Sequence, residues 1–85
     1  MKALAQFVKQ RNAFNKMFGN KELTLIDAAD RQRIADIIDS SLSPENLTCD
    51  GELSRSQVQA RYRELMAVAR DLKELDPNVK FYEVA

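Results

Sequence analysis

The sequence predicts an all-α fold: three helices over about residues 3–18, 25–41 and 55–75, followed by a short extended C-terminal tail. Apolar residues recur at spacings of three and four over most of the chain, as they do in amphipathic helices. The 85 residues include only two Gly and two Pro, which is too few for an all-β fold built on tight turns. Their 45% apolar and 31% charged content suits a single small helical domain over residues 1–85.

The first predicted helix places its apolar residues on one face and is followed by Gly19, a natural C-cap. Arg11 interrupts that face between Phe7 and Phe14, where a half-buried guanidinium needs a partner. Two interpretations stay open for it: an ion pair with an acid of the second helix such as Asp30, or an interface or anion-binding role. The predicted inward face consists of Leu4, Phe7, Val8, Phe14 and Phe18, with Met17 at its edge.

The second predicted helix begins with Thr24 as its N-cap and ends in the segment 41–44, where Ser and Pro disfavour continuation. A basic first element (five bases and no acid in residues 1–21) precedes an acidic one (eight acids and two bases in residues 22–52). This asymmetry favours packing of the first two helices on each other, or a two-signed surface for a partner. The apolar face of the second helix consists of Ile26, Ile34, Ile37, Ile38 and Leu42.

The third predicted helix has the clearest start, because Ser54 and Gln57 form a capping-box pattern. Its apolar seam follows a spacing of alternating four and three, which could also support a homo-oligomer. After the helix stops at Asp76–Pro77, the tail either packs over the helices or adds to a partner's sheet edge. Packing is favoured because one short strand is rarely stable alone. The seam consists of Val58, Tyr62, Leu65, Ala69 and Leu72, widened by Met66 and Leu75.

The segment 46–57, "NLTCDGELSRSQ", resembles a degenerate EF-hand calcium loop when Gly51 is placed at position 6. Asp50 is then the only carboxylate clearly directed at the ion, and Gln57 replaces the bidentate glutamate at position 12. Since Ser54 and Gln57 are already explained as a capping box, a structural connection between helices is favoured over a calcium site. The candidate metal ligands are Asn46, Thr48, Asp50, Glu52 and Gln57, with Ser54 at position 9.

Composition argues against several classes of function. The chain has no His, and its lone Cys49 lies beside Asp50, so a histidine base, a zinc cluster or an activated thiol is not expected. No apolar run reaches the roughly 18 residues of a membrane span, and the N-terminus lacks a signal-peptide pattern. We therefore expect a cytoplasmic protein without catalytic residues or a cofactor. Nucleic-acid binding is disfavoured, since the predicted inward Phe residues could not also stack on bases.

The segment "LSPENLTCDGELSRSQVQARYRELMAVARDLKELDP" resembles stretches in small helical accessory proteins of tailed bacteriophages. This resemblance covers roughly the C-terminal half and implies a phage protein that acts on a host component in the host cytoplasm. The leading functional hypothesis is a non-enzymatic protein that binds a host or phage protein. The alternative is an oligomeric module that sequesters an anionic ligand or nucleotide. The candidate binding residues are Arg11, Arg61 and Tyr62.

Overall fold

A computed structural model describes residues 1–83, which form four helices. These are α1 (Lys2–Met17), α2 (Ala28–Leu42), α3 (Pro44–Leu47) and α4 (Arg55–Leu75). Residues 1–83 contain no β-strand, which confirms the all-α prediction. The three predicted helices are α1, α2 and α4, and α3 is an additional single turn that the sequence did not predict.

The first helix ends just before Gly19, as the sequence predicted. Gly19 has a φ of +70°, its N–H donates to the Lys16 carbonyl, and the Asn20 N–H donates to the Asn15 carbonyl at 2.7 Å. This pair of hydrogen bonds is a Schellman motif, which satisfies the last carbonyls of a helix.

The second helix begins later than predicted, because Asp27 and not Thr24 is its N-cap. An Asp27 carboxylate oxygen accepts the backbone N–H groups of Ala29 and Asp30, at 2.8 and 3.4 Å. Thr24 instead forms a turn, its hydroxyl accepting the Ile26 N–H at 3.2 Å. The prediction that Ile26 lies on the apolar face of α2 is therefore wrong: it precedes the helix, and its side chain is 91% exposed.

Pro44 does not only end the second helix; it also begins α3. A proline at the first helical position sacrifices no hydrogen bond, since that N–H has no partner within the helix. The turn after α3 contains three consecutive residues with positive φ, at Cys49, Asp50 and Gly51. This turn reverses the chain so that α4 can start at Arg55.

The longest helix, α4, forms the centre of the molecule. Its capping box is complete: the Gln57 N–H donates to the Ser54 hydroxyl, and the Ser54 N–H donates to the Gln57 amide oxygen at 2.8 Å. Both α1 and α2 pack mainly on α4 and much less on each other. Direct packing of α1 on α2, one of the two arrangements that the charge pattern suggested, is therefore not the main contact. The core consists of Leu4, Ile34, Ala35, Ile38, Leu42, Leu65, Val68, Ala69, Leu72 and Val79.

The predicted α4 seam is only partly correct. Leu65, Ala69 and Leu72 are buried within the chain, whereas Tyr62 is 47% exposed and Leu75 is 42% exposed. Because the central seam residues are buried in the core, they cannot also form an interface with a second copy. Self-association stays a prediction, and it needs another surface.

The tail packs on α2, as predicted, over the described residues 77–83. Val79 is buried, and the Lys80 backbone exchanges two 3.0 Å hydrogen bonds with the side-chain amide of Gln32. The N–H groups of Tyr82 and Glu83 donate to the Asp39 carboxylate at 2.9 and 3.1 Å. Side chains of α2 thus satisfy an extended backbone that has no strand beside it in the described part of the chain.

Candidate functional site

An open groove runs along one face of α1. It consists of two adjoining pockets of about 440 and 210 Å³ that share Phe7, Gln10 and Ser41 in their walls. Near the start of α1 the opposite wall is α4, and farther along it is α2. The surface of this groove is formed by Ala3, Gln6, Phe7, Gln10, Arg11, Phe14, Ile37, Ser41, Arg61, Glu64, Leu65, Ala67 and Val68.

Arg11 lies in the groove between Phe7 and Phe14, the position that its spacing predicted. Its guanidinium carbon stands 4.8 Å from the centre of the Phe14 ring, a cation–π contact. Its Nε is buried and has no hydrogen-bond partner among the described residues. The predicted ion pair with Asp30 is wrong, because other groups occupy that carboxylate.

Asp30 is fully buried and serves the start of α2 instead of the groove. It accepts the Thr24 N–H at 3.0 Å and pairs with Arg33 of its own helix. The hydrogen bond from Thr24 is the main reason that the pKa of Asp30 lies below its ordinary value, and Arg33 and Lys21 add to this effect while burial opposes it. Asp30 is therefore not a partner for Arg11, which lines the groove.

Arg61 enters the same groove from α4. It lines the larger pocket beside Gln6, Gln10 and Glu64, and its Nε is also buried without a hydrogen-bond partner in residues 1–83. The structure thus brings two of the three candidate residues, Arg11 and Arg61, to one surface. Tyr62 lines neither pocket and points away, since it lies 100° farther around α4.

An exposed apolar patch continues the groove at the end of α1; the patch consists of Phe14, Met17 and Phe18. Their side chains are 45%, 78% and 64% exposed, and the two rings are in contact at a tilt of 41°, with their centres 4.7 Å apart. Phe14 belongs to both the patch and the groove. The prediction that Phe14 and Phe18 face the core is therefore wrong.

Two asparagines explain this difference. Asn12 exchanges two 2.7 Å hydrogen bonds with the backbone of Leu23, and the buried Asn15 donates to the Lys21 carbonyl at 3.1 Å. The inward face of α1 therefore continues from Leu4 through polar residues that hold the connecting segment. An apolar-spacing argument overlooks such a face, because it assigns amides to solvent.

Three of the five candidate metal ligands in the segment 46–57 make other contacts. Asn46 lies in α3 and donates to the Ser40 carbonyl at 2.8 Å, and Thr48 donates its hydroxyl hydrogen to the Pro44 carbonyl at 2.7 Å. Gln57 is engaged in the capping box. Asp50 and Glu52 are exposed. Among residues 1–83, no group of three or more His, Cys, Asp or Glu side chains is arranged to hold a metal ion.

Sequence reasoning missed Gln10 and Ser41, which lie in the walls of both pockets. Gln10 falls between Phe7 and Phe14 at helical spacing, so a second polar residue beside Arg11 on the predicted apolar face was the available signal. For Ser41 the sequence carries no comparable signal. In the structure its hydroxyl donates to the Ile37 carbonyl within α2 at 2.9 Å. Its place in the groove depends on tertiary packing alone.

Comparison with known proteins finds no matching family model, no matching curated sequence and no matching solved structure. The resemblance to tailed-phage accessory proteins therefore stays a prediction. No helix in the described range has both the length and the apolar content required to span a bilayer. The groove and the patch are the surface features that bear most directly on function.

Proposed function

We propose that this chain is a non-enzymatic interaction protein that binds a partner protein through the patch of Phe14, Met17 and Phe18. The exposure of these three neighbouring residues carries the proposal. Large apolar side chains grouped on the surface of a small protein are typical of binding sites, whereas single exposed ones are not informative. Phe and Met are also enriched at the buried centres of protein interfaces.

The groove supports the same proposal, because it extends the patch along α1. The half-buried Phe7 and the exposed Phe14 line its α1 wall, so a partner seated there would continue to bury apolar surface. Leu65 and Val68 of the α4 wall are already buried in the core. The resemblance of the C-terminal half to phage accessory proteins makes a host or phage protein the expected partner. A nucleic acid is not favoured, since Glu64 and the apolar walls suit a protein better than a phosphate backbone.

Site-specific photocrosslinking tests the proposal in the organism that encodes the chain. We expect Met17→p-benzoylphenylalanine to crosslink one defined partner, and Lys9→p-benzoylphenylalanine, at an exposed position of the same helix that lines neither pocket, to miss it. The purified partner should then bind the unmodified chain more than about tenfold more tightly than the variant Phe18→Gln. Thermal unfolding of Phe18→Gln, measured by circular dichroism, checks that the fold is intact.

Equal crosslinking from positions 17 and 9 would overturn the proposal. So would a partner whose affinity is the same for the unmodified chain, Phe14→Gln and Phe18→Gln. Both substitutions change exposed side chains, so lost binding with intact unfolding temperature reports on the interface.

A further inference from the structure

We infer that the partner seats an acidic amphipathic helix in the groove, with carboxylates of that helix bound by Arg11 and Arg61. The inference rests on the proposed function and specifies the chemistry of the partner. Four observations support it: the length of the groove, its apolar walls, its charge, and two buried guanidinium donors without a partner among residues 1–83.

The dimensions of the groove suit a helix. Its α1 wall extends from Ala3 to Phe14, about 17 Å at the rise of an α-helix, which corresponds to three turns. A second helix laid into such a groove presents apolar anchors at spacings of three and four. At the far end, the same helix would cover Phe14 and Phe18, which a small anion could not do.

The charged groups favour a carboxylate at the centre of that helix. The groove holds two guanidinium groups, Arg11 and Arg61, and one carboxylate, Glu64. In the free protein each Arg Nε is buried without an acceptor in the described chain, a costly state for a polar group. Rotation of a guanidinium toward a carboxylate would give Nε and a terminal nitrogen the two acceptors of a bidentate pair. Binding would then relieve a cost that the free protein carries.

Within residues 1–83 of a second copy, α2 does not offer the required helix. Its acidic helix, α2, directs its apolar residues Ile34, Ile38 and Leu42 into its own core. The acids of α2 therefore lack an accessible apolar stripe beside them. A partner of different sequence, with Asp or Glu among exposed Leu, Ile or Phe residues, fits the groove better.

Selection from a displayed library of helical peptides tests the inference with the purified full chain. We expect the selected peptides to combine apolar residues at positions i, i+3 or i+4, and i+7 with one or more Asp or Glu. A synthetic peptide of the selected sequence should bind the double variant Arg11→Gln/Arg61→Gln more than about tenfold more weakly. Its affinity for the chain should also fall as salt is raised.

The matched control is Arg63→Gln, which removes an exposed arginine of α4 outside the groove and should leave binding unchanged. Thermal unfolding of the double variant should stay close to that of the wild type, since neither arginine has an ion pair among residues 1–83 and the Arg11 cation–π contact is made with a partly exposed ring. A loss of binding together with a lower unfolding temperature is resolved by Arg11→Lys/Arg61→Lys, which keeps the charge but not the bidentate geometry. This variant should bind with intermediate affinity.

Three outcomes would overturn the inference. Selected peptides without acids, or binding that survives the double variant, would leave the patch as the interface and refute the role of the arginines. Saturable thermal stabilisation by inorganic phosphate or ATP, lost in the double variant, would instead identify a free-anion site. Peptides insensitive to both the arginine and the Phe18→Gln variants would contradict the proposed function as well.

Discussion

Asn12 fixes the position of the segment between α1 and α2. Its amide oxygen accepts the Leu23 N–H and its amide nitrogen donates to the Leu23 carbonyl, each at 2.7 Å. The pair imitates one rung of a β-ladder, although the partner is a helix side chain. These hydrogen bonds hold Leu23 against the Asn12 side of α1, and the side chains of Phe14 and Phe18 remain exposed to solvent.

We predict that Asn12→Ala lowers the free energy of unfolding by about 1–3 kcal/mol, because both backbone groups of the half-buried Leu23 lose their partner. Urea unfolding followed by circular dichroism measures the change. The control Asn20→Ala deletes an exposed asparagine whose side chain makes no hydrogen bond in residues 1–83, and it should cost much less. Equal losses in the two variants would contradict this role of Asn12.

Among single residues, the sequence predicted some positions and not others. The spacing of Arg11 placed it correctly between Phe7 and Phe14. The same spacing wrongly directed Phe14 inward, because periodicity records which residues are apolar and not which neighbours are present to cover them. Within residues 1–83 no element covers Phe14 and Phe18 at the end of α1, and only the structure reveals that.

The ends of the helices were more predictable, because they depend on local chemistry. The capping box of Ser54 and Gln57 and the termination at Gly19 both formed as expected. The start of α2 was displaced because Thr24 and Asp27 both suit an N-cap, and the Thr24 N–H is drawn to the buried Asp30. Where two local signals compete, a tertiary contact selects one of them.

We predict that Gly19→Ala destabilises the protein by about 1–2 kcal/mol, since an L-residue with a side chain is strained in the left-handed region. A methyl group at this position would meet no atom within 4 Å, so the loss is backbone strain and not a clash. The matched variant Gly19→Asn should lose less, because asparagine tolerates this conformation. Urea unfolding measures both. A loss for the alanine variant no larger than for the asparagine variant would refute the explanation.

Three carboxylates join the elements into one molecule. Asp30 holds the segment that leads into α2, Asp71 joins the first turn of α1 to α4, and Asp76 joins the end of α4 to α2. Each has a pKa below its ordinary value, and in each case the largest cause is a hydrogen bond that the carboxylate accepts. The donors are the Thr24 N–H for Asp30, the Leu4 N–H for Asp71, and the Arg31 Nε for Asp76.

Composition predicted none of these links, since an aspartate that joins two helices has the same local sequence as a solvated one. The all-α class and the helices followed from periodicity, whereas the groove follows from how α1 and α2 are each fixed to α4. Asp71 illustrates the point: it lies within α4, accepts the Leu4 N–H at 3.2 Å, and so anchors the α1 wall of the groove.

These contacts predict that the protein loses stability in acid. The folded-state pKa values of Asp30, Asp71 and Asp76 are depressed, so the unfolded chain binds more protons once the pH approaches the ordinary aspartate pKa of about 4. The stabilisation is therefore complete above about pH 5 and is lost as the pH falls through the folded-state values. Urea midpoints at a series of pH values between about 7 and 3 should show this decline.

The variant Asp71→Asn gives the sharpest form of that prediction. It keeps an oxygen to accept the Leu4 N–H but carries no charge to titrate, so its urea midpoint should start lower at pH 7 and decline less steeply toward pH 3. The control Glu74→Gln removes an exposed carboxylate of α4 that accepts no hydrogen bond within residues 1–83, and it should follow the wild-type slope. If Asp71→Asn and Glu74→Gln declined in parallel with the wild type, the link between α1 and α4 would not depend on the charge of Asp71.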